Sequence, residues 1–138
     1  MPPPLALSVK QPWAALLAAG VKTVEVRTWL TRKFGPVLIH AAKNSDPRPD
    51  GWALVTTPEL RELAALRGGV IGVATLTECL KYSTSDAFAA AAEAHRNAPD
   101  WFRPGGLYGF VFQEARPIAY HACPGRTLFF TVEGITLS

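Results

Sequence analysis

Lys22, Glu25 and Arg27 fall within eight residues, Gly20-Val21-Lys22-Thr23-Val24-Glu25-Val26-Arg27, with Trp13 and Trp29 to either side. That is a heavy charge load for a chain that is 49% hydrophobic and 18% charged. A lysine next to a glutamate can do acid/base work, because burial and a neighbouring carboxylate shift its proton affinity and a neutral lysine is a base or a nucleophile. The same lysine can instead contact phosphate. An arginine two residues after a glutamate on a strand can pair with it, and a guanidinium held that way offers a fork to phosphate or a base edge. Indole rings beside such charges offer faces on which bases stack. Each residue also has a plain structural alternative. These are an exposed lysine after a helix C-terminus, a fixed Glu25–Arg27 pair shaping a wall, and tryptophans buried in a core.

The elements that must position these residues are legible on either side. Leu5 to Val9 alternates as a first strand, and Lys10-Gln11-Pro12 breaks it. Pro12 suits a first helical turn, and Trp13 to Ala19 is made of strong helix formers with an apolar stripe at Trp13, Leu16 and Leu17. Gly20 ends that helix as a left-handed C-terminal residue. Lys22 to Trp29 reads as a strand, with Thr23, Glu25, Arg27 and Trp29 on one face. Lys22 has the opposite parity, so it joins Glu25 only if it sits in the turn before the strand or if a bulge intervenes.

Thr31 to Gly35 is a basic turn, Pro36 to Ala42 a nearly continuous apolar strand, and Lys43 to Gly51 a loop. Thr57 and Pro58 open a second helix that ends at Gly68-Gly69. Val70 to Cys79 is a strand, with Gly72 as a close-approach or bulge point. Thr84 or Ser85 caps a third helix running from Asp86 to about Asn97. Leu107–Glu114, Arg116–His121 and Thr127–Val132 are further strands. About six strands and about three helices that do not alternate strictly predict an α+β fold, with a small, mostly antiparallel, closed β-barrel. The whole chain, 1–138, reads as a single domain with a core of about 5–132.

Other side chains join the candidates by position. Lys10 and Gln11 precede a helix start and can help it hold an anion. Lys43 ends an apolar strand as a ligand candidate. His40 lies inside that strand, as a binding residue or as a satisfied core histidine. Tyr108 and Arg126 are candidates for a far rim. Trp101-Phe102-Arg103 forms either a lid or an aromatic-anchored loop. Glu78 and Glu93 are the downstream acids available to a hydrolase.

The formal charge is +3, distributed as +5 through Arg48 and −2 beyond it, so the positive excess lies with the candidate residues. That favours an anionic partner. Cys79 and Cys123 with three scattered histidines make no metal set, and no cofactor is expected. Met1-Pro2-Pro3-Pro4 is not a signal peptide, and no apolar run approaches the roughly 20 residues of a membrane span. A cytoplasmic protein without a membrane partner is expected.

Three motifs together, Leu7-Ser8-Val9-Lys10-Gln11-Pro12-Trp13-Ala14, Gly20-x-Lys22-x-x-Glu25-x-Arg27-x-Trp29 and Gly35-Pro36-x-x-Ile39-His40-Ala41-Ala42-Lys43, resemble the ASCH (activating signal cointegrator homology) domain. The G-x-K-x-x-E-x-R pattern agrees at all four fixed positions, and the resemblance runs from Leu5 to about Val132. Two departures stand out. Leu128-Phe129-Phe130 replaces a Gly-Leu-Trp-like closing strand, and Glu25 stands where the small amidohydrolase members carry a hydroxyl residue. The resemblance implies a PUA-like β-barrel with a cleft lined by the motif residues. It further implies a nucleic-acid-binding domain, for RNA or single-stranded DNA with RNA favoured, or one that takes a nucleotide-like small molecule. Lys10, Gln11, Trp13, Lys22, Arg27, Trp29, His40 and Lys43 are its candidate ligand contacts. Two alternatives stand beside it. One is a hydrolase, cutting an amide on a modified nucleoside or cutting RNA, with Lys22 and Glu25 as its catalytic pair. The other is a protein-interaction module.

Overall fold

The computed structural model describes residues 3–137, so Met1 and Pro2 of the proline-rich start lie outside it. Six strands form one sheet: β1 (Leu5–Val9), β2 (Val24–Arg27), β3 (Gly35–Ala41), β4 (Gly69–Tyr82), β5 (Leu107–Ala122) and β6 (Phe129–Thr131). The helices are α1 (Trp13–Ala18), α2 (Pro49–Trp52), α3 (Pro58–Ala64), α4 (Ser85–Ala90) and α5 (Ala92–His95), with a 3₁₀ turn at Pro99–Trp101. No helix among the described residues is long and apolar enough to cross a membrane.

The strand order is β2-β5-β4-β3-β1-β6. β1 pairs parallel with β3, and the other pairings are antiparallel. The expected α+β class therefore holds, but the barrel closure does not: β2 and β6 are the two ends of the sheet and do not pair with each other. The reason lies in what fills the inside. All six residues of α1 are buried, and the helix packs Leu16 and Leu17 into a core with Leu7, Val9, Val37, Ile39 and Phe110. A helix on that face supplies the apolar cover that a closed barrel would otherwise take from facing strands. Ala6, Leu38, Val70, Val73 and Phe130 form a second cluster. β1 and β3 thus send alternate residues to two cores, and β3 therefore reads as an apolar run broken only by His40.

Local chemistry accounts for the element boundaries. Thr57 Oγ1 accepts the Leu60 N–H, and Thr84 Oγ1 accepts the Ala87 N–H, capping α3 and α4. The single helix expected from Asp86 to Asn97 is interrupted at Ala91, whose backbone leaves the helical region. The alanine run gives helical propensity but too little side chain to hold one straight helix against the sheet. The two strands expected on either side of Ala115 are one strand, β5, kinked by Glu114 at φ 54° and a register shift against β4. The expected loop after Lys43 contains the one-turn helix α2.

Gly72 is the close-approach point anticipated from sequence. A Cβ there would stand 2.6 Å from Ala18 Cβ and 2.9 Å from the Arg116 carbonyl, so α1 rests directly on the β4 backbone. Gly72→Ala is expected to push the helix off the sheet and destabilise the fold by ~1–3 kcal/mol, measured by urea unfolding. An unchanged midpoint would show that α1 is not seated there.

Candidate nucleic-acid interface

The site begins where α1 stops. Gly20 adopts φ 78°, and the Val21 and Lys22 N–H groups both return to the Leu16 carbonyl. Lys22 therefore lies in the turn, two residues before β2 starts at Val24. That resolves the parity conflict without a bulge, because the turn points the Lys22 side chain back under α1 and toward Glu25. Its Nζ donates to the His95 carbonyl and, at 2.8 Å, to Asn97 Oδ1. It stands 3.6 Å from Glu25 Oε1 and 4.9 Å from the centre of the Trp13 ring. Lys22 is only 1% exposed.

Burial disfavours the ammonium, and this is the largest influence on it. The Glu25 carboxylate pulls the other way and Arg27 adds to the lowering, which leaves Lys22 at about 8 instead of 10.5. His95, whose carbonyl takes part, is itself fully buried. Its Nε2–H donates to the Phe88 carbonyl at 2.7 Å and its Nδ1 accepts the Asn97 N–H at 2.9 Å, so the ring is neutral in one fixed tautomer. Burial pushes its proton affinity down, the bond to Phe88 raises it, and the Lys22 charge lowers it.

Two charge chains extend from this hub. Glu25 Oε2 accepts from Arg27 Nη2 at 2.8 Å, and the same Nη2 donates to the Ser8 carbonyl at 3.0 Å, tying β2 to β1. The Trp13 indole N–H donates to Asp46 Oδ2 at 2.9 Å. Asp46 also accepts from the Arg48 side chain at 3.1 Å, and the Arg48 guanidinium lies 3.8 Å above the Trp101 ring. Burial alone would raise the Asp46 carboxyl, but its bonds to Arg48 and Trp13 leave it below the ordinary range.

These elements enclose a cavity of about 620 Å³. Of the sequence candidates, Lys10, Trp13, Glu25, Arg27 and Trp29 line it. Lys22 does not. It lies behind the wall, in contact with Glu25 and Asn97, which do line it. Gln11 is also withdrawn: its side chain donates to the Leu63 and Leu66 carbonyls and accepts the Ala15 N–H, joining α1 to α3. His40 and Lys43 border a separate cavity of about 680 Å³, which shares Ser8, Arg126 and Thr127 with the first. The His40 ring is held between the Ser8 hydroxyl at 3.0 Å and the Cys123 carbonyl at 2.8 Å, as a satisfied core histidine would be.

Asp46, Arg48 and Asn97 also line the first cavity, and none was singled out from sequence. The alternating Asp46-Pro47-Arg48 charges were the one local signal for the first two. Asn97 carried no signal. Trp101, Arg103 and Arg126 also line this cavity, whereas Tyr108, the other rim candidate, does not.

The buried lysine sets a pH dependence. Between pH 8 and about 10.5 an unfolded chain keeps the Lys22 proton that the folded chain has released. Its unfolded state binds more protons there, so folding stability rises with pH across this window. Urea unfolding at the two ends should show wild type gaining roughly 3 kcal/mol relative to Lys22→Met. A constant difference between the two proteins would mean that Lys22 titrates as it does in water.

The family model of the ASCH domain matches residues 7–119. No curated protein matches the chain. Among solved structures, ASCH from Zymomonas mobilis superposes with a TM-score of 0.66 at 15% identity, over 94% of this chain and 87% of that one. A serine-to-alanine variant of the Zymomonas mobilis protein gives 0.66, also at 15% identity, covering 96% and 92%. A tyrosine-to-phenylalanine variant gives 0.65 at 15% identity, covering 94% and 89%. At such identity the likeness speaks for the fold. With the family model spanning most of its length and a fold that superposes on ASCH structures, this chain belongs to the ASCH domain family, a PUA-like fold.

Proposed function

We propose that the cleft binds nucleic acid, single-stranded RNA in preference to DNA, with residues 5–132 acting as one binding domain. The observation that carries this reading is the sorting of side chains between rim and wall. Trp13, Trp29 and Trp101 supply aromatic surface to the cavity. Five cations line it, Lys10, Arg27, Arg48, Arg103 and Arg126, against two carboxylates, Glu25 and Asp46. Arg27 and Arg48 are paired with those carboxylates. Lys10, Arg103 and Arg126 are exposed and form no salt bridge among the described residues. Rim cations over an aromatic pocket suit a phosphate backbone whose bases turn inward. The RNA association of PUA-like folds agrees with that arrangement.

A hydrolase built on Lys22 and Glu25 would need the lysine amine at the cleft. Here Nζ is surrounded by the His95 carbonyl, Asn97, Glu25 and the Trp13 ring. Lys22 supports the wall from behind while Glu25 lines the cleft bonded to Arg27, and this favours binding over catalysis by these two residues.

The test is the salt dependence of binding to a short fluorescent oligouridylate. Log affinity should fall linearly with log salt, and the double substitution Arg103→Ala with Arg126→Ala should flatten that slope by roughly 1.4. An affinity that does not change with salt would refute the proposal.

A further inference from the structure

Asn97 is 5% exposed and lines the cleft. Its side-chain oxygen is already committed, because Lys22 Nζ donates to Oδ1 at 2.8 Å. An ammonium can only donate, so the amide cannot turn over without losing that bond. Its backbone is committed too, through the N–H bond to His95 Nδ1 and the left-handed Arg96 that precedes it at φ 63°. The residue is clamped at both ends. What remains is the Nδ2 amino group, on the side of the amide away from Lys22, and it meets no acceptor among the described residues.

Two donors on residues that border the same cleft, Arg27 Nε and Trp101 Nε1, are fully buried without partners, whereas the unpartnered Asn97 Nδ2 is not fully buried. The acceptors nearby are engaged. Glu25 presents one oxygen to Arg27 and the other to Lys22, and Asp46 takes the Trp13 indole and Arg48. The cleft floor therefore has hydrogens to give and few acceptors to offer. Asn97 Nδ2 is the unpartnered donor open to the cleft, so a ligand that brings an acceptor to it is favoured over one that brings a donor.

We propose that this floor reads a carbonyl oxygen of a nucleobase, with the Asn97 Nδ2 group as the specificity-determining donor, so that uracil and cytosine are taken in preference to adenine. The proposal rests on the nucleic-acid reading of the cleft. A phosphate is a poorer occupant of the floor, because the Glu25 carboxylate lines it, whereas Lys10, Arg103 and Arg126 meet phosphates from their exposed positions. The indole rings of Trp13, Trp29 and Trp101 suit a flat base. Uracil and cytosine each carry an exocyclic carbonyl on that plane. Adenine carries none: a ring nitrogen could accept from Nδ2, but the amino group beside it would find Asn97 Oδ1 already taken by Lys22.

Asn97→Asp is the direct test. It keeps the size of the side chain and an oxygen for Lys22, and it replaces the free donor with an acceptor. Affinities for oligouridylate, oligocytidylate and oligoadenylate are measured at one salt concentration, and melting temperatures are recorded alongside. Wild type should bind the two pyrimidine strands about tenfold more tightly than oligoadenylate. Asn97→Asp should lose that preference. In a ¹⁵N spectrum of wild type, the Asn97 Nδ2 resonances should move when oligouridylate is added. If Asn97→Asp fails to fold, Asn97→Ala and the wild-type resonances decide the question. Equal binding of the three strands, or a preference that survives both substitutions, would overturn base reading by Asn97 while leaving RNA binding in place. Binding of none of them would overturn both.

Discussion

An ammonium group taken out of water needs acceptors in place of its hydration, and in this chain that demand falls on Lys22. The three partners come from separate parts of the chain. Glu25 is supplied by β2, the His95 carbonyl by the end of α5, and Asn97 by the turn after it. Trp13, from the first turn of α1, covers the group from another side. One buried charge thus fixes where four segments meet. The G-x-K-x-x-E-x-R pattern follows from that requirement. Glycine lets the chain turn back beneath α1, lysine fills the space, and glutamate offsets the charge. Arginine then holds the glutamate from its outer side and fastens β2 to the Ser8 carbonyl. Replacing one member of such a set leaves the others unpaired and buried, which is costly.

The arrangement also separates the work of support from that of contact. The strongest ionic interactions lie in or behind the walls, where Lys22, Glu25, Arg27 and Asp46 are largely shielded from solvent. The cations free to meet an anion are at the rim. Steering by rim charges is sensitive to salt, whereas the buried set is screened much less. The cleft can therefore keep its shape under conditions that weaken its attraction for a ligand. The open ends of the sheet fit the same division. β2, the strand that carries Glu25 and Arg27, is an end strand of only four residues. It is held on one side by β5 and on the other by the Thr23 N–H bond to Ala94.

Much of this was legible in the sequence, and the exceptions have physical causes. The stop at Gly20, the threonine caps and the close approach at Gly72 are local chemistry, written in one or two residues. The convergence of Lys22 and Glu25 depended on which residue began β2, and a shift of one position would have reversed it. Sheet closure depended on how much of the interior α1 occupies, which no single strand reveals. Gln11 and His40 look like ligand residues because polar groups are uncommon in apolar stretches. Both proved to be satisfied by main-chain groups or a hydroxyl from elsewhere in the fold. Asn97 was invisible because its partner lies 75 positions away, and an asparagine after an alanine-rich helix has the look of an ordinary turn.

The role of Lys22 as a support behind the wall, not a ligand contact, is tested most directly by a crystal structure of the protein with a short oligouridylate bound. Lys22 Nζ should remain on Asn97, Glu25 and the His95 carbonyl, with a base seated among the indole rings and phosphates near the rim cations. A structure in which Lys22 leaves those partners and bonds directly to the nucleotide would contradict it.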